Sequence, residues 1–275
     1  MKTIDTSIII STYNSPDWLQ KVLWSYDCQT FPNFEVIVAD DGSSLDTKAL
    51  IDAMRLKLSY PIRHIWHEDD GFQKTKILNK AILETTAAYI IFTDGDCIAR
   101  QDFVETHMRL RQHKSAISGG YFKLDKITSD AISKNDIEKQ RCFNTKWLID
   151  QGLKTSFKMN KLSSFGIKAR LLNKMTPTKA TFDGMNVSAW KQDIMLVNGF
   201  DERMQYGGED RELGERLMNV GITFIQARYS VICVHLFHER PYKNEVSLTM
   251  NKQIRQDTKS KQSKYTNFGI IKPNL

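Results

Sequence analysis

The sequence predicts an α/β fold, and three observations carry that reading. Short apolar runs alternate with segments of helical periodicity through the first hundred residues, the order expected of parallel strands joined by crossover helices. Several of these runs end in turns that carry Asp, at the edge where open α/β sheets bind ligands. The chain has 275 residues, enough for one large α/β domain or a domain with an appended lobe, and tight for two independent ones.

Thr6 to Ser11 reads as a buried strand. Tyr13-Asn14-Ser15-Pro16 follows, and Pro suits the first turn of a helix whose Trp18, Leu19, Val22, Leu23 and Tyr26 share one face. Glu35 to Ala39 is the second strand, and Asp40-Asp41-Gly42-Ser43-Ser44 supplies a turn and an N-cap for a helix through about Leu58. Ile62 to Trp66 is a third strand, a helix runs from about Lys74 to Thr86, and Tyr89 to Thr93 is a fourth strand that delivers Asp94-Gly95-Asp96. From Gly119 the pattern weakens into a basic region with a helix expected between Asn135 and Gln151. Order returns with Ala180 to Trp190, then a Gly207-Gly208 turn, a helix bearing Leu213, Leu217 and Val220, and a last strand from Ser230 to Val234. The expected organisation is a nucleotide-binding half over residues 1–120, an acceptor-side half of the same domain over 121–245, and a basic tail over 246–275.

No run approaches the 18 or so apolar residues a membrane span needs, so none is expected. The N-terminus enters a core strand within a few residues, which predicts no secretory leader and a cytoplasmic location. Cys28, Cys97, Cys142 and Cys233 are widely spaced and read as reduced, buried thiols. The net charge of +7 is concentrated: residues 121–182 hold 13 Lys or Arg against 5 Asp or Glu, and the final 25 residues hold six against one. Such runs form solvated faces or mobile tails, or face an anionic acceptor or lipid surface.

Asp41, Asp94 and Asp96 all follow predicted strands at one sheet edge. Carboxylates beside a nucleotide diphosphate make sense only with a divalent cation between them, and hard oxygen ligands suit Mn²⁺ or Mg²⁺. By itself Asp-Gly-Asp is also a common turn. Tyr206-Gly207-Gly208-Glu209-Asp210 combines glycines that allow close backbone approach with two carboxylates at a helix start. Those carboxylates either complement the helix dipole or supply a base for an attacking hydroxyl. His235 and His238 stand at a strand end, where they are either ordinary surface imidazoles or the nitrogen ligands of a mixed site that favours Mn²⁺.

Ser7-Ile8-Ile9-Ile10-Ser11-Thr12-Tyr13-Asn14, Val38-Ala39-Asp40-Asp41-Gly42-Ser43 and Phe92-Thr93-Asp94-Gly95-Asp96 resemble the opening of glycosyltransferase family 2. The stretch from Phe182-Asp183-Gly184 through Asn198-Gly199-Phe200-Asp201 to Gly207-Gly208-Glu209-Asp210 resembles the carboxyl half of the beta-1,4-galactosyltransferases and bacterial chondroitin-type polymerases. The resemblance implies a GT-A fold, a Rossmann-like and mostly parallel sheet with flanking helices and a C-terminal extension. It implies inverting transfer from a UDP-sugar, with Ser11, Tyr13 and Asp41 around the nucleotide, Asp94 by the ribose and metal, and Gly184 and Asn186 bordering the donor sugar. Asp96 and His238, with His235, are the implied metal ligands, and Asp210 the implied base with Glu209 beside it. His235 and His238 are followed by Lys243-Asn244-Glu245, as in those relatives. Family members carry Arg-Asn on the third helix where this chain has Leu78-Asn79, so Lys74 or Lys76 is expected to supply that charge.

A glycan or lipid-linked saccharide of bacterial surface polysaccharide or lipopolysaccharide is the acceptor class the resemblance suggests, with the basic tail seated peripherally at the inner membrane face. Two other classes compete. A sugar-phosphate nucleotidylyltransferase needs a glycine-rich phosphate loop after the first strand, and Ser11-Thr12-Tyr13-Asn14 is not one. A basic binding protein is suggested by the pI of about 9.1, but no nucleic-acid motif is present and the cations cluster away from the acidic motifs.

Overall fold

A computed structural model describes residues 3–239 and 244–273. β1 (Thr6–Thr12), α1 (Pro16–Asp27), β2 (Phe34–Asp40), α2 (Leu45–Arg55), β3 (Ile62–Trp66), α3 (Lys74–Glu84) and β4 (Tyr89–Asp94) alternate as the periodicity predicts. Every residue of β1 and β2 is buried, the mark of strands covered on both faces. Successive side chains point to opposite faces. Ile8 and Ile10 therefore pack with Leu19, Val22 and Leu23 of α1, while Ile9 packs with Ile37, Ile77 and Phe92 on the other side.

The chain continues through β5 (Cys97–Ala99), α4 (Phe103–Leu110), β6 (Ser115–Ser118), β7 (Gly120–Lys123), α5 (Lys126–Ala131), α6 (Lys134–Glu138), α7 (Thr145–Asp150), α8 (Asn160–Ser163) and α9 (Gly166–Met175). It closes with β8 (Asn186–Trp190), α10 (Lys191–Leu196), α11 (Glu209–Asn219), β9 (Thr223–Gln226), β10 (Ile232–His235) and α12 (Glu245–Ser260). The main sheet has the order β3-β2-β1-β4-β8-β6-β9, and only β8 runs antiparallel to its neighbours. A smaller sheet, β5-β10-β7, pairs His235 with Cys97 on one side and Lys123 on the other.

Two expectations are corrected. The single helix expected between Asn135 and Gln151 is broken into α6, a 3₁₀ turn at Arg141–Phe143 and α7. Gln140 sits at φ 54°, where a helix cannot continue, and Asn144 then caps α7 by accepting from the Trp147 N–H. The segment expected as a basic tail is folded. Asn251 of α12 is fully buried and donates to the carbonyls of Gln205, Tyr206 and Gly207. Further on, Asn198 donates to the carbonyls of Thr266 and Ile271.

Candidate active site

The carboxyl ends of β1, β2 and β4 meet the loops before β8 and α11 around one cavity of about 770 Å³. Its lining includes Ser11, Tyr13, Asp41, Lys74, Asp94, Asp96, Asp183, Gly184, Tyr206, Glu209, Asp210, His235 and His238. The size is within the range of pockets that hold a whole small ligand.

At its floor Asp94 accepts from Ser11 Oγ at 2.6 Å and from Lys74 Nζ at 2.7 Å. Burial works to raise the Asp94 pKa, but the Lys74 charge and the two hydrogen bonds hold it below the usual carboxylate range. Lys74 is raised above its ordinary value against the cost of burial, by Asp94 and then Glu209. Asp41 lines the cavity as well, with its carboxylate already accepting from His67 Nε2 at 2.8 Å and from the Gln73 N–H at 3.0 Å.

Beyond Asp94 the chain turns through Gly95, whose N–H donates to the Ser11 carbonyl, and presents Asp96 to two imidazoles. His238 Nε2 lies 3.2 Å and His235 Nε2 3.9 Å from Asp96 Oδ2, and the two rings are stacked 5.2 Å apart. Each histidine has its Nδ1 against a backbone carbonyl, Leu236 O at 2.7 Å and Glu239 O at 2.9 Å. A carbonyl can only accept, so both Nδ1 atoms donate, and each ring turns its Nε2 toward a carboxylate oxygen of Asp96. Two Nε2 atoms converging on one carboxylate, each ring held through Nδ1 by a backbone carbonyl, form a donor set that a divalent metal can use. Cys97 Sγ is nearby but donates to Asp96 Oδ1 at 3.4 Å, and burial pushes its pKa well up, so it stays a thiol. Lys243, part of the expected motif after these histidines, lies outside the described residues.

The opposite wall is built by the glycine turn. Gly207 and Gly208 have φ of +108° and +89°, and a Cβ on Gly207 would come within 2.5 Å of Leu248. This left-handed turn aims the first two side chains of α11 inward. Glu209 accepts from the Gly207 N–H at 2.8 Å, and burial, reinforced by Asp210, raises its pKa to about 7 against the pull of Lys74. Asp210 accepts from the Gly184 N–H at 3.1 Å, which fixes its carboxylate toward the loop before β8. In that loop Asp183 is raised to about 6 by burial, with Asp210 and Asp94 adding to it.

Sequence reasoning missed Asp183 as a site residue, although it stands within the Phe182-Asp183-Gly184 stretch already singled out. Two assignments do not hold. Lys76 is absent from the cavity lining, and the cation at the floor is Lys74, the first residue of α3. Asn186 does not border the cavity; it is 1% exposed and braces the two sheets. Its amide donates to the carbonyls of Gly120 and Val231, and its Oδ1 accepts from His107 Nε2. Burial lowers the His107 pKa to about 3, so the ring is neutral and its Nδ1 accepts from Ser188, which in turn accepts from Tyr89.

Residues 7–171 match the family model described as glycosyl transferase family 2. The chain belongs to that family. Residues 165–239 further match the model described as the N-terminal domain of galactosyltransferase, so the two matches overlap at α9. Among relatives of this family-2 chain, a validoxylamine A glucosyltransferase of Streptomyces hygroscopicus is 26% identical over 257 residues, 89% of this chain and 58% of the relative. The chondroitin synthase of Escherichia coli is 27% identical over 263 residues, 90% of this chain and 37% of the relative. The chain thus spans about half or less of the length of these two relatives. A mannosyltransferase from Pyrobaculum calidifontis, solved with GDP-Man and Mn²⁺, superposes with a TM-score of 0.59 at 17% identity, covering 88% of this chain and 59% of that one. Residues 1–349 of S. aureus TarS, solved with UDP-GlcNAc, give 0.57 at 17% identity, over 87% of this chain and 60% of that one. The architecture is the GT-A fold of these structures.

Proposed function

We propose that this family-2 protein is an inverting, metal-dependent glycosyltransferase that moves a hexose or N-acetylhexosamine from a UDP-sugar to a glycan or glycolipid acceptor. The observation that carries the reading is the pair of histidine Nε2 atoms turned toward Asp96, across one cavity from Asp183, Glu209 and Asp210. UDP-GlcNAc in TarS and GDP-Man with Mn²⁺ in the Pyrobaculum enzyme support a nucleotide-sugar donor and a divalent ion here. The chondroitin synthase relatives support a polysaccharide acceptor.

Asp96, His235 and His238 would hold Mn²⁺ or Mg²⁺, with Asp94 in support. There the ion supplies charge neutralisation to the departing diphosphate. Ser11, Tyr13 and Asp41 flank the nucleotide, and Gly184 leaves room for the sugar. Asp210 takes the proton of an acceptor hydroxyl as that oxygen bonds to the anomeric carbon. The bond from that carbon to the diphosphate oxygen breaks with inversion, and its electron pair leaves with the diphosphate. Lys74, paired with Asp94, keeps positive charge at the floor of the same cavity.

Calorimetric titration with UDP-sugars and GDP-mannose, with and without Mn²⁺, tests the proposal. A UDP-sugar that binds only with Mn²⁺ and is consumed in the presence of acceptor supports it. Metal-independent binding, or binding restricted to GDP-mannose, removes the metal role or the UDP assignment respectively.

A further inference from the structure

Residues 151–182 contain seven Lys or Arg and no Asp or Glu. Within them α9 presents Ile167, Leu171 and Met175, spaced by four so that they share one helix face. These three are 77, 56 and 75% exposed, and Phe157 and Phe165 before them are 73 and 59% exposed. Ala169 is the only buried residue of α9. Lys168, Arg170 and Lys174 flank the apolar stripe.

Among the described residues, none of the seven cations forms an ion pair. The cations of the last 25 residues behave differently. Arg255 and Lys259 pair with Glu215, Lys261 pairs with Asp257, and Lys272 pairs with Glu202. Among the described residues, unpaired cations are therefore dense on the α9 side, whereas four of the six in the last 25 residues are paired. Lys161 illustrates the crowding: burial, then Arg228 and Lys158, push its pKa down to about 8. Beside α9 lies a second cavity of about 580 Å³, lined in part by Arg109, Arg170 and Lys174, which carry no ion pair among the described residues, and by Arg100, which is paired with Asp102. Ser164, also in its lining, has a buried hydroxyl without a partner.

A second copy of the chain does not suit this face, because two surfaces rich in unpaired cations repel. A helix with bulky apolar residues on one side and cations around them matches a charged bilayer, where the stripe enters the acyl boundary and the cations meet phosphates. We infer that α9, with Phe157 and Phe165, forms a docking face for an anionic phospholipid surface, and that the basic cavity beside it receives a lipid phosphate. The face adjoins the active-site mouth. Lys161 donates to the Tyr121 carbonyl at 2.9 Å and lies over the Tyr121 ring, and Tyr121 lines the main cavity. That placement suits a lipid-linked acceptor, a consequence that rests on the proposed function; docking itself does not.

The test is co-sedimentation of the full chain with phosphatidylglycerol–phosphatidylcholine vesicles and with pure phosphatidylcholine vesicles, without donor, metal or acceptor. The expected result is partition onto the anionic vesicles alone, weakening as salt rises. Combined Ile167→Ser, Leu171→Ser and Met175→Ser should lower it about tenfold or more. Combined Lys168→Gln, Arg170→Gln and Lys174→Gln should lower it by about fivefold per cation. Both variants should keep the wild-type circular dichroism and melting temperature, since the altered residues carry no ion pair and little buried surface. Lys252→Gln with Lys264→Gln, the two tail cations without ion pairs among the described residues, should leave partition unchanged. Equal binding to neutral vesicles, no binding, undiminished binding by both α9 variants, or a loss confined to the tail variant would each overturn the inference. So would a dimer in light scattering that the apolar variant abolishes. Absence of docking by the wild-type chain, with its sugar transfer intact in solution, refutes this inference and leaves the proposed function standing.

Discussion

Lys74 Nζ and Asp94 Oδ1 are 2.7 Å apart, and together they join the first turn of α3 to the last residue of β4. Neither charge is accessible enough to be replaced by water at no cost, since the two side chains are 22 and 21% exposed. Lys74→Met is expected to destabilise the fold by about 2 kcal/mol, because it leaves a part-buried carboxylate unpaired. Asp94 has a depressed pKa, so its share of stability is present above the ordinary carboxylate range and is lost as pH falls through the lowered value. Urea unfolding across pH should show the gap between wild type and variant at neutrality and its closure in acid.

Asp210→Asn should retain donor binding while transfer falls by a factor on the order of 10²–10⁴, the range for loss of a general base. Calorimetry and a single-turnover assay on the same preparation separate the two effects. Retained transfer would move the proton to Asp183, the neighbouring carboxyl whose pKa is raised to about 6.

Asp96→Asn and His238→Ala should each weaken Mn²⁺-dependent donor binding by about tenfold or more, with His235→Ala acting in the same direction. Electron paramagnetic resonance of bound Mn²⁺ measures the ion directly, apart from turnover. An unchanged Mn²⁺ affinity in all three variants would remove these residues from the metal site.

Glu209 sets a pH dependence of stability. Unfolded, its carboxyl loses the proton near its ordinary value of 4.5; folded, it keeps it up to about 7. Between those limits the native state binds more protons, so stability falls as pH rises through the window. Glu209→Gln should flatten that fall by on the order of 2 kcal/mol, and thermal melts from pH 4 to 8 would read it. A residual slope at the acid end belongs to Asp183.

Asn186→Ala is expected to cost about 3 kcal/mol, since it leaves the buried His107 N–H without its acceptor and removes the amide that donates to the Gly120 and Val231 carbonyls. Chemical denaturation measures the loss, and donor affinity at a temperature where the variant is folded should match the wild type. A selective loss of donor affinity with unchanged stability would return Asn186 to the sugar.

The parallel strands and the residues at their ends were legible because unbroken apolar runs have few other readings, and the chemistry sits where each run stops. Gly207-Gly208-Glu209-Asp210 was legible for a similar reason, since only a special backbone turn needs two glycines before two carboxylates. Asn186 was not, because an amide that braces two sheets and one that contacts a sugar look alike until the strand pairing is known. Lys74 and Lys76 differ by two positions on one helix, and only the docking of α3 decides which reaches Asp94. The last helix escaped notice because its buried positions, Ser247, Asn251 and Thr258, are polar. Its periodicity is one of hydrogen bonds, which hydropathy does not report.

The reversal of β8 also fixes how the two family matches depend on each other. Because β8 runs against β4, the loop entering β8 comes out beside the end of β4, with Thr93 directly opposite Asn186. Asp183 and Gly184 thereby face Asp94 from a part of the chain some ninety residues away. Residues 7–171 hold the Asp96 side and residues 165–239 the Glu209–Asp210 side, with the two histidines crossing over to meet Asp96. Neither segment encloses the cavity by itself, so a duplication or exchange of one half in another protein would carry over a single wall without a working chamber.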